Sequence, residues 1–411
     1  MIRKKSLAFL LAVLLCLGIQ GFSQEEAPGD TTQQTPSSPE ELQLNAYLEG
    51  FDQVNSDGKI QILQTAQDDP VEQVFPLYTK ALEFVISNGE TLGQDTQLQR
   101  IASIVVSRLE EAGNAQVAPR LWTLYTLSSN TSLGLSILDA LSSFESVSQE
   151  VVLRMVSRLQ TMVNTRIGGT EIDLQLASAL VQTLSALGSD AAGDILVQVI
   201  TARLEGDIST RAFQGLAQME TDLVELFSRA FARAADESKQ DIYDVFMDSE
   251  IPTQDQKTRF AGFVLSNVLG VQTSNQGLRA TREFLRQQAV RVLAANPIPE
   301  ITPELINHFN TSIVAFDRGY GNKSVVLEAI AALGKTGQPA AANRLTAFLE
   351  LINTYTEQDR PYDRQIVLAV IENLKNLGRV EAYNALFMVT ILNYPSTVKA
   401  AAREAIRAVT R

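Results

Sequence analysis

The chain holds one histidine, His308, and one cysteine, Cys16. A zinc site needs three or four imidazole, thiolate or carboxylate donors brought together, and sites rich in His or Cys have no donor set here. A Ser–His–Asp relay would have to use His308, within Leu305-Ile306-Asn307-His308-Phe309. No Gly-x-Ser-x-Gly turn is present to hold its serine. His308 therefore reads as a packing or surface residue of a helix. Gly334-Lys335-Thr336 has the ending of a P-loop, but the motif wants a glycine five residues earlier, where Ala329 stands. A P-loop also follows a strand, whereas Val325 to Leu333 reads as a helix. Gly334 then becomes the C-cap of that helix and Lys335 a cation at its C-terminal end. Gly319-Tyr320-Gly321 is too short for a dinucleotide fingerprint and reads as a loop.

Charged and aromatic residues offer binding rather than reaction chemistry. Glu237, Asp241, Asp244 and Asp248 recur at spacings that share one helical face. They could form a cation site or a docking patch, although a solvated face is the plainer reading. A calcium loop would need a glycine turn that is missing. Arg279, Arg282 and Arg286 lie along one face of a helix, with Arg291 beyond them. This row could meet an acidic partner; the plainer alternative is pairing with acids on neighbouring repeats. Tyr320, Tyr355, Tyr362, Tyr383 and Tyr394 gather in the C-terminal third. Tyrosines suit interface anchors, and they also cover the seams of stacked helices. Arg279, Arg282, Arg286, Tyr320, Tyr355, Tyr362 and Tyr383 are the candidate partner-binding residues. The sequence calls for no cofactor.

These residues must be positioned by a repeating element. Ile330-Ala331-Ala332-Leu333-Gly334 returns forty-four positions later as Leu374-Lys375-Asn376-Leu377-Gly378. It appears upstream as Leu184-Ser185-Ala186-Leu187-Gly188 and as Leu109-Glu110-Glu111-Ala112-Gly113. Each time an apolar helix closes on a glycine and a second apolar helix follows. A period in the forties made of two helices is the mark of an α-solenoid. The predicted pairs are 96–112 with 115–127, 131–144 with 148–163, 171–187 with 190–204, 208–219 with 221–234, 238–248 with 253–269, 276–295 with 303–316, 323–333 with 338–354, and 363–377 with 380–392. A last helix at 396–409 closes the array. Capping signals occur at Ser38-Pro39-Glu40-Glu41, at Asp69-Pro70 and at Thr302-Pro303. Alternating strand patterns are absent.

Upstream of this array the sequence reads as an export signal. Arg3, Lys4 and Lys5 precede the apolar run Leu7 to Leu17, and Gly21-Phe22-Ser23 offers small residues for cleavage. The run is too short to span a membrane. A lipid on Cys16 is disfavoured because Leu15, not a small residue, precedes it. Residues 1–23 are thus a predicted signal peptide, 24–38 a disordered linker, 39–95 an N-terminal helical cap and 96–411 the repeat array. The net charge of −13 becomes −16 once the three basic residues leave. That balance argues against nucleic acid as a partner.

The Leu-Gly helix ends and apolar second helices at 171–204 and 323–392 resemble the HEAT-repeat family. An Asp–Arg ladder at repeated positions is not evident. The resemblance implies a right-handed superhelix of stacked antiparallel helix pairs, all-α, with a concave face that binds a partner. The expected function is an exported, non-catalytic scaffold that binds a protein in the cell envelope, periplasmic or secreted. Groove binding of a glycan or small ligand is the alternative. An all-α glycan hydrolase or lyase using paired carboxylates comes third.

Overall fold

The computed structural model describes residues 38–204, 207–269 and 275–410, and every regular element among them is a helix. The predicted signal peptide, and the linker up to residue 37, lie outside the described residues. The chain opens with α1 (Pro39–Gln53), α2 (Ser56–Thr65) and α3 (Val71–Ser87). It continues through α4 (Thr96–Ala112), α5 (Ala118–Leu127), α6 (Thr131–Ser143), α7 (Gln149–Ile167), α8 (Leu174–Ala186) and α9 (Asp190–Thr201). Next come α10 (Ile208–Gln218), α11 (Leu223–Arg233), α12 (Asp236–Asp248), α13 (Gln254–Val268) and α14 (Gln276–Ala295). The array continues with α15 (Thr302–Asp317), α16 (Lys323–Lys335), α17 (Pro339–Glu357), α18 (Arg364–Leu377), α19 (Tyr383–Ile391) and α20 (Ser396–Val409).

Short polar side chains start these helices. Asp95, Asn130, Asp173, Asp222, Asn322 and Asp363 each accept a backbone N–H from the first turn. Ser38 forms a full capping box with Glu41. Gly113 and Gly378 close α4 and α18 in the left-handed conformation, with φ of 62° at each.

The helices form an α-solenoid of two layers. Odd-numbered helices lie side by side in one, even-numbered helices in the other, and contacts across the layers close the core. One apolar cluster runs through the array from Phe51 to Val409. The helices α1–α3 stack in the same register as those that follow. Side-by-side contact is loosest from α10 to α12 and from α13 to α15. At the first of these steps Phe213, Phe227, Phe246 and Phe260 form a chain of buried rings, with centroids 5.3, 4.8 and 4.6 Å apart. Bulky rings fill there the space that small residues close elsewhere.

Three sequence expectations are corrected. Asp69 does not cap α3, because Pro70 holds the N-cap position. Its carboxylate instead accepts hydrogen bonds from Gln43 and Tyr47 of α1, at 3.0 and 2.9 Å. Thr302 is not a cap either: it is the buried first residue of α15, and its hydroxyl donates to the Pro299 carbonyl at 2.6 Å. A turn of 3-10 helix at Pro299–Ile301 leads the chain into α15 without a side-chain cap. Gly334 lies within α16, and Gly337, with φ of 68°, takes the left-handed turn. The glycine at 334 serves close approach, since a Cβ there would lie 1.9 Å from Asn373 Oδ1 and 2.5 Å from Asn373 Cβ on α18.

Gly334→Ala should therefore lower the unfolding free energy by about 1–3 kcal/mol through overpacking. Adding Asn373→Gly, which clears both atoms, should recover part of that loss. Denaturant titration followed by circular dichroism checks both. A Gly334→Ala chain as stable as the parent would contradict the close approach of α16 and α18.

Candidate interaction surface

The arginine row on α14 is not a free basic face. Arg282 is ion-paired with Asp236 of α12, and Lys239 joins the same carboxylate at 3.1 Å; all three side chains are mostly buried. Burial alone would raise the Asp236 carboxyl, but hydrogen bonds from Arg282 and Lys239 hold it below the usual carboxylate range. Arg286 is turned inward with Glu283 at 3.8 Å, and burial lowers the pKa of its guanidinium. Arg279 remains at the surface. Arg291 pairs with Glu328 of α16 at 3.0 Å. Pairing with neighbouring repeats thus accounts for Arg282 and Arg291, and burial for Arg286.

His308 is fully buried on α15 and neither ring nitrogen has a hydrogen-bond partner. Burial, with the Arg286 charge beside it, pushes its pKa down to about 3. On α12, Glu237, Asp241 and Asp248 are exposed and Asp244 is half-buried. Asp241 lies 3.7 Å from Arg203, while burial and then the Asp248 charge raise the Asp244 carboxyl. Among the described residues no group of three or more His, Cys, Asp or Glu side chains could hold a metal ion. No described helix is long and apolar enough to cross a membrane.

The tyrosines divide into two kinds. Tyr362 donates to Asp317 at 2.5 Å, packs edge-on against Phe348 and stacks with Tyr355, so this pair covers a seam between helices. Burial and then the Asp317 carboxylate raise the Tyr362 phenol. Tyr394 likewise donates to the buried Asn353 at 2.9 Å. Tyr320 stands in the loop after α15, 70% exposed, and Tyr383 lies at the surface of α19, stacked on Phe387.

Two features escape a reading of the sequence. The first is a set of polar pairs between side-by-side helices. Asp52–Lys80 joins α1 to α3 at 2.5 Å, Glu83–Arg120 joins α3 to α5 at 3.2 Å, and Asp194–Arg233 joins α9 to α11 at 2.8 Å. The Asp222 cap of α11 takes Arg259 of α13 at 2.6 Å, and the Asp363 cap of α18 takes Lys323 of α16 at 3.2 Å. Such a ladder was not evident from spacing because its rungs shift along the helices from step to step.

The second is a shallow trough on the outer face of the even layer. A groove of about 180 Å³ between α4 and α6 is lined by Gln99, Ser103 and Ser132. A groove of about 310 Å³ between α6 and α8 is lined by Asp139, Ser142 and Gln182. Ser136 lines both, so the trough crosses three helices. Arg100, Leu133, Leu135, Leu138 and Ala179 also line it. A run of exposed Ser and Gln on consecutive even helices is the only sequence signal for it, and any solvated face gives the same signal.

Fold and surfaces together define a helical-repeat protein of the α-solenoid class. No protein-family model and no curated protein matches the chain. Among solved structures, a circular tandem repeat protein with novel repeat topology and enhanced subunit contact surfaces aligns over 90% of this chain and 87% of its own. Identity there is 13% and the TM-score is 0.21, too low to bear on fold or function.

The His308 site carries a pH prediction. The unfolded chain takes up a proton near pH 6.5 that the folded chain refuses until about pH 3. Stability from this group is therefore full above pH 6.5 and is lost as pH falls through that window, at about 1.4 kcal/mol per unit. Between pH 6.5 and 5 the parent should lose roughly 1.5–2 kcal/mol more than a His308→Phe variant. Denaturant midpoints across pH measure the difference; parallel pH profiles would contradict it.

Proposed function

We propose that the chain is an exported, non-catalytic, HEAT-like scaffold whose even-layer trough takes an extended segment of a protein partner in the cell envelope. The observation that carries this reading is the trough across α4, α6 and α8, where hydroxyl, amide and carboxylate groups and the Arg100 guanidinium line it beside Leu133, Leu135 and Leu138. Neighbouring helices in a layer lie about 8–10 Å apart, so the trough measures about 20 Å. That length seats about six residues of extended chain. Ser, Gln and Asn side chains can serve both the N–H and C=O groups of such a segment. Glycan rings stack on exposed aromatic faces, and no aromatic side chain lines this trough, so a polypeptide is favoured over the glycan alternative. Export rests on Arg3-Lys4-Lys5, the apolar run to Leu17 and the small residues at Gly21 and Ser23. The exposed Arg279, Tyr320 and Tyr383 are further contact points on this reading.

Ser136→Trp tests it, because an indole at that exposed position, which lines both grooves, obstructs the trough where they meet. Crosslinking in the native envelope, then capture and mass spectrometry, should recover one protein with the parent chain. Recovery should fall at least about tenfold with the Ser136→Trp variant, the effect of losing roughly 1.4 kcal/mol of binding. Undiminished recovery with the variant would place the partner elsewhere. Glycan binding without any captured protein would favour the alternative.

A further inference from the structure

Successive helices of the odd layer stack on one another, but α13 and α15 hardly touch. The linker before α15 comes between them: a Cβ at Gly262 of α13 would lie 3.4 Å from Ile301 and 3.8 Å from Ile298. In the even layer the same step is closed. There α14 packs on α16, Arg291 pairs with Glu328 at 3.0 Å, and Lys335 donates to the Ala294 carbonyl at 2.5 Å. A step joined along one layer and parted along the other has the layout of a hinge, with its pivot at the α14–α16 contact. His308 lies in this step, fully buried on α15, with neither ring nitrogen bonded and Arg286 of α14 beside it.

We infer that this step is an acid-opened joint: protonation of His308 swings α15 away from α13 and α14 about the α14–α16 contact, while the helices themselves stay folded. The charges on the surrounding elements leave an imidazolium uncompensated. On α14, Glu283 goes to Arg286 at 3.8 Å. On α13, Arg259 pairs with Asp222 and Lys257 donates to the Met247 carbonyl. On α16, Glu328 is held by Arg291, and Lys323 by Asp363. On α17, Arg344 donates to Asn310 and lies 4.9 Å over the Phe309 ring, while Glu350 and Glu357 are exposed. Glu300 of the linker is exposed too. Glu304, one turn before His308 on α15, is half-buried and makes no bond to the ring.

An imidazolium here adds a second buried positive charge to that of Arg286, and unpaired buried charge is costly. Water can reach it through unfolding of the helices or through opening of the seam. Opening breaks fewer contacts, because the flank of α13 is already parted from α15. Burial, then the Arg286 charge, keeps the closed ring neutral down to about pH 3, whereas a solvated ring takes up its proton near 6.5. The open joint therefore gains population as pH falls through 6.5, by about thirtyfold between pH 7.5 and 5. The stability loss at His308 is in this way concentrated at one step of the array.

Thiol reactivity tests it. Ser312, one turn beyond His308, is buried and donates to the His308 carbonyl at 2.8 Å. In a Cys16→Ser background, Ser312→Cys puts a thiol of nearly the same size in the seam. Val181→Cys, at a buried position on α8, is the distant control. The rate with dithiodipyridine, normalised to free cysteine at each pH, reads opening. Between pH 7.5 and 5 it should rise about thirtyfold at Ser312→Cys and stay level at Val181→Cys, with circular dichroism unchanged. Adding His308→Phe should abolish the rise, and so should His308→Gln, which does not depend on how the larger ring packs. A rate at Ser312→Cys indifferent to pH would mean that the charge is met in place, by Glu304 turning to the ring, and would overturn the proposal. Equal rises at both thiols, loss of helicity alongside the rise, or a rise that survives both His308 variants would overturn it as well.

Discussion

Side-by-side stacking of each helix on its next-but-one neighbour is the constraint on which this molecule depends. Helices of nine to twenty residues are marginal alone in water, because nucleation costs more than a few hydrogen bonds return. Each must bury apolar surface on a facing helix and along both flanks. Small residues make the flanks approach: a Cβ at Gly215 on α10 would meet the Ser185 side chain of α8, as one at Gly334 would meet Asn373. Where rings replace small residues, at Phe213, Phe246 and Phe260, the flanks separate and the core widens. Stability then resides in a chain of local interfaces and no single contact commands the whole array.

The polar pairs between stacked helices do a different task. Most have exposed partners, and exposed pairs contribute about 0–1 kcal/mol each. Their effect is on register, since a carboxylate that caps one helix and receives a cation from the next ties the two axially. Asp222 and Asp363 do both, and the hydrogen bonds and cations they gather offset burial and hold their carboxyls below the ordinary range. Asp236 with Arg282 and Lys239 is the buried member of the set. Removing one partner there would strand a charge. A row of arginines that looks built for recognition is in this way largely absorbed by the fold.

Most of the architecture was legible in the sequence. From residue 96 on, apolar period and Leu-Gly ends gave the helices their number and order, because both signals are local and tertiary packing reinforced them. Gly113 and Gly378 turn as their positions suggest, and Ser38 caps as its motif suggests. Gly334, Asp69 and Thr302 carry the same local signals and behave otherwise, for reasons that lie on other helices. The surface was less legible. Arg282 meets a carboxylate forty-six residues away, and no spacing rule reaches that far. The trough is written in Ser and Gln that resemble any solvated face. The exposed Tyr383, Phe387 and Ile391 sit on α19, a nine-residue helix whose core and surface residues are both apolar, so periodicity could not separate them.

Deleting residues 363–411, which carry α18, α19 and α20, tests the stacking account most directly. Hydrogen exchange should show faster opening in α16 and α17, which lose their neighbours, with protection unchanged from α1 to α12. Loss of helicity throughout the shortened chain, in one cooperative step, would mean a single global core and would contradict a fold held together interface by interface.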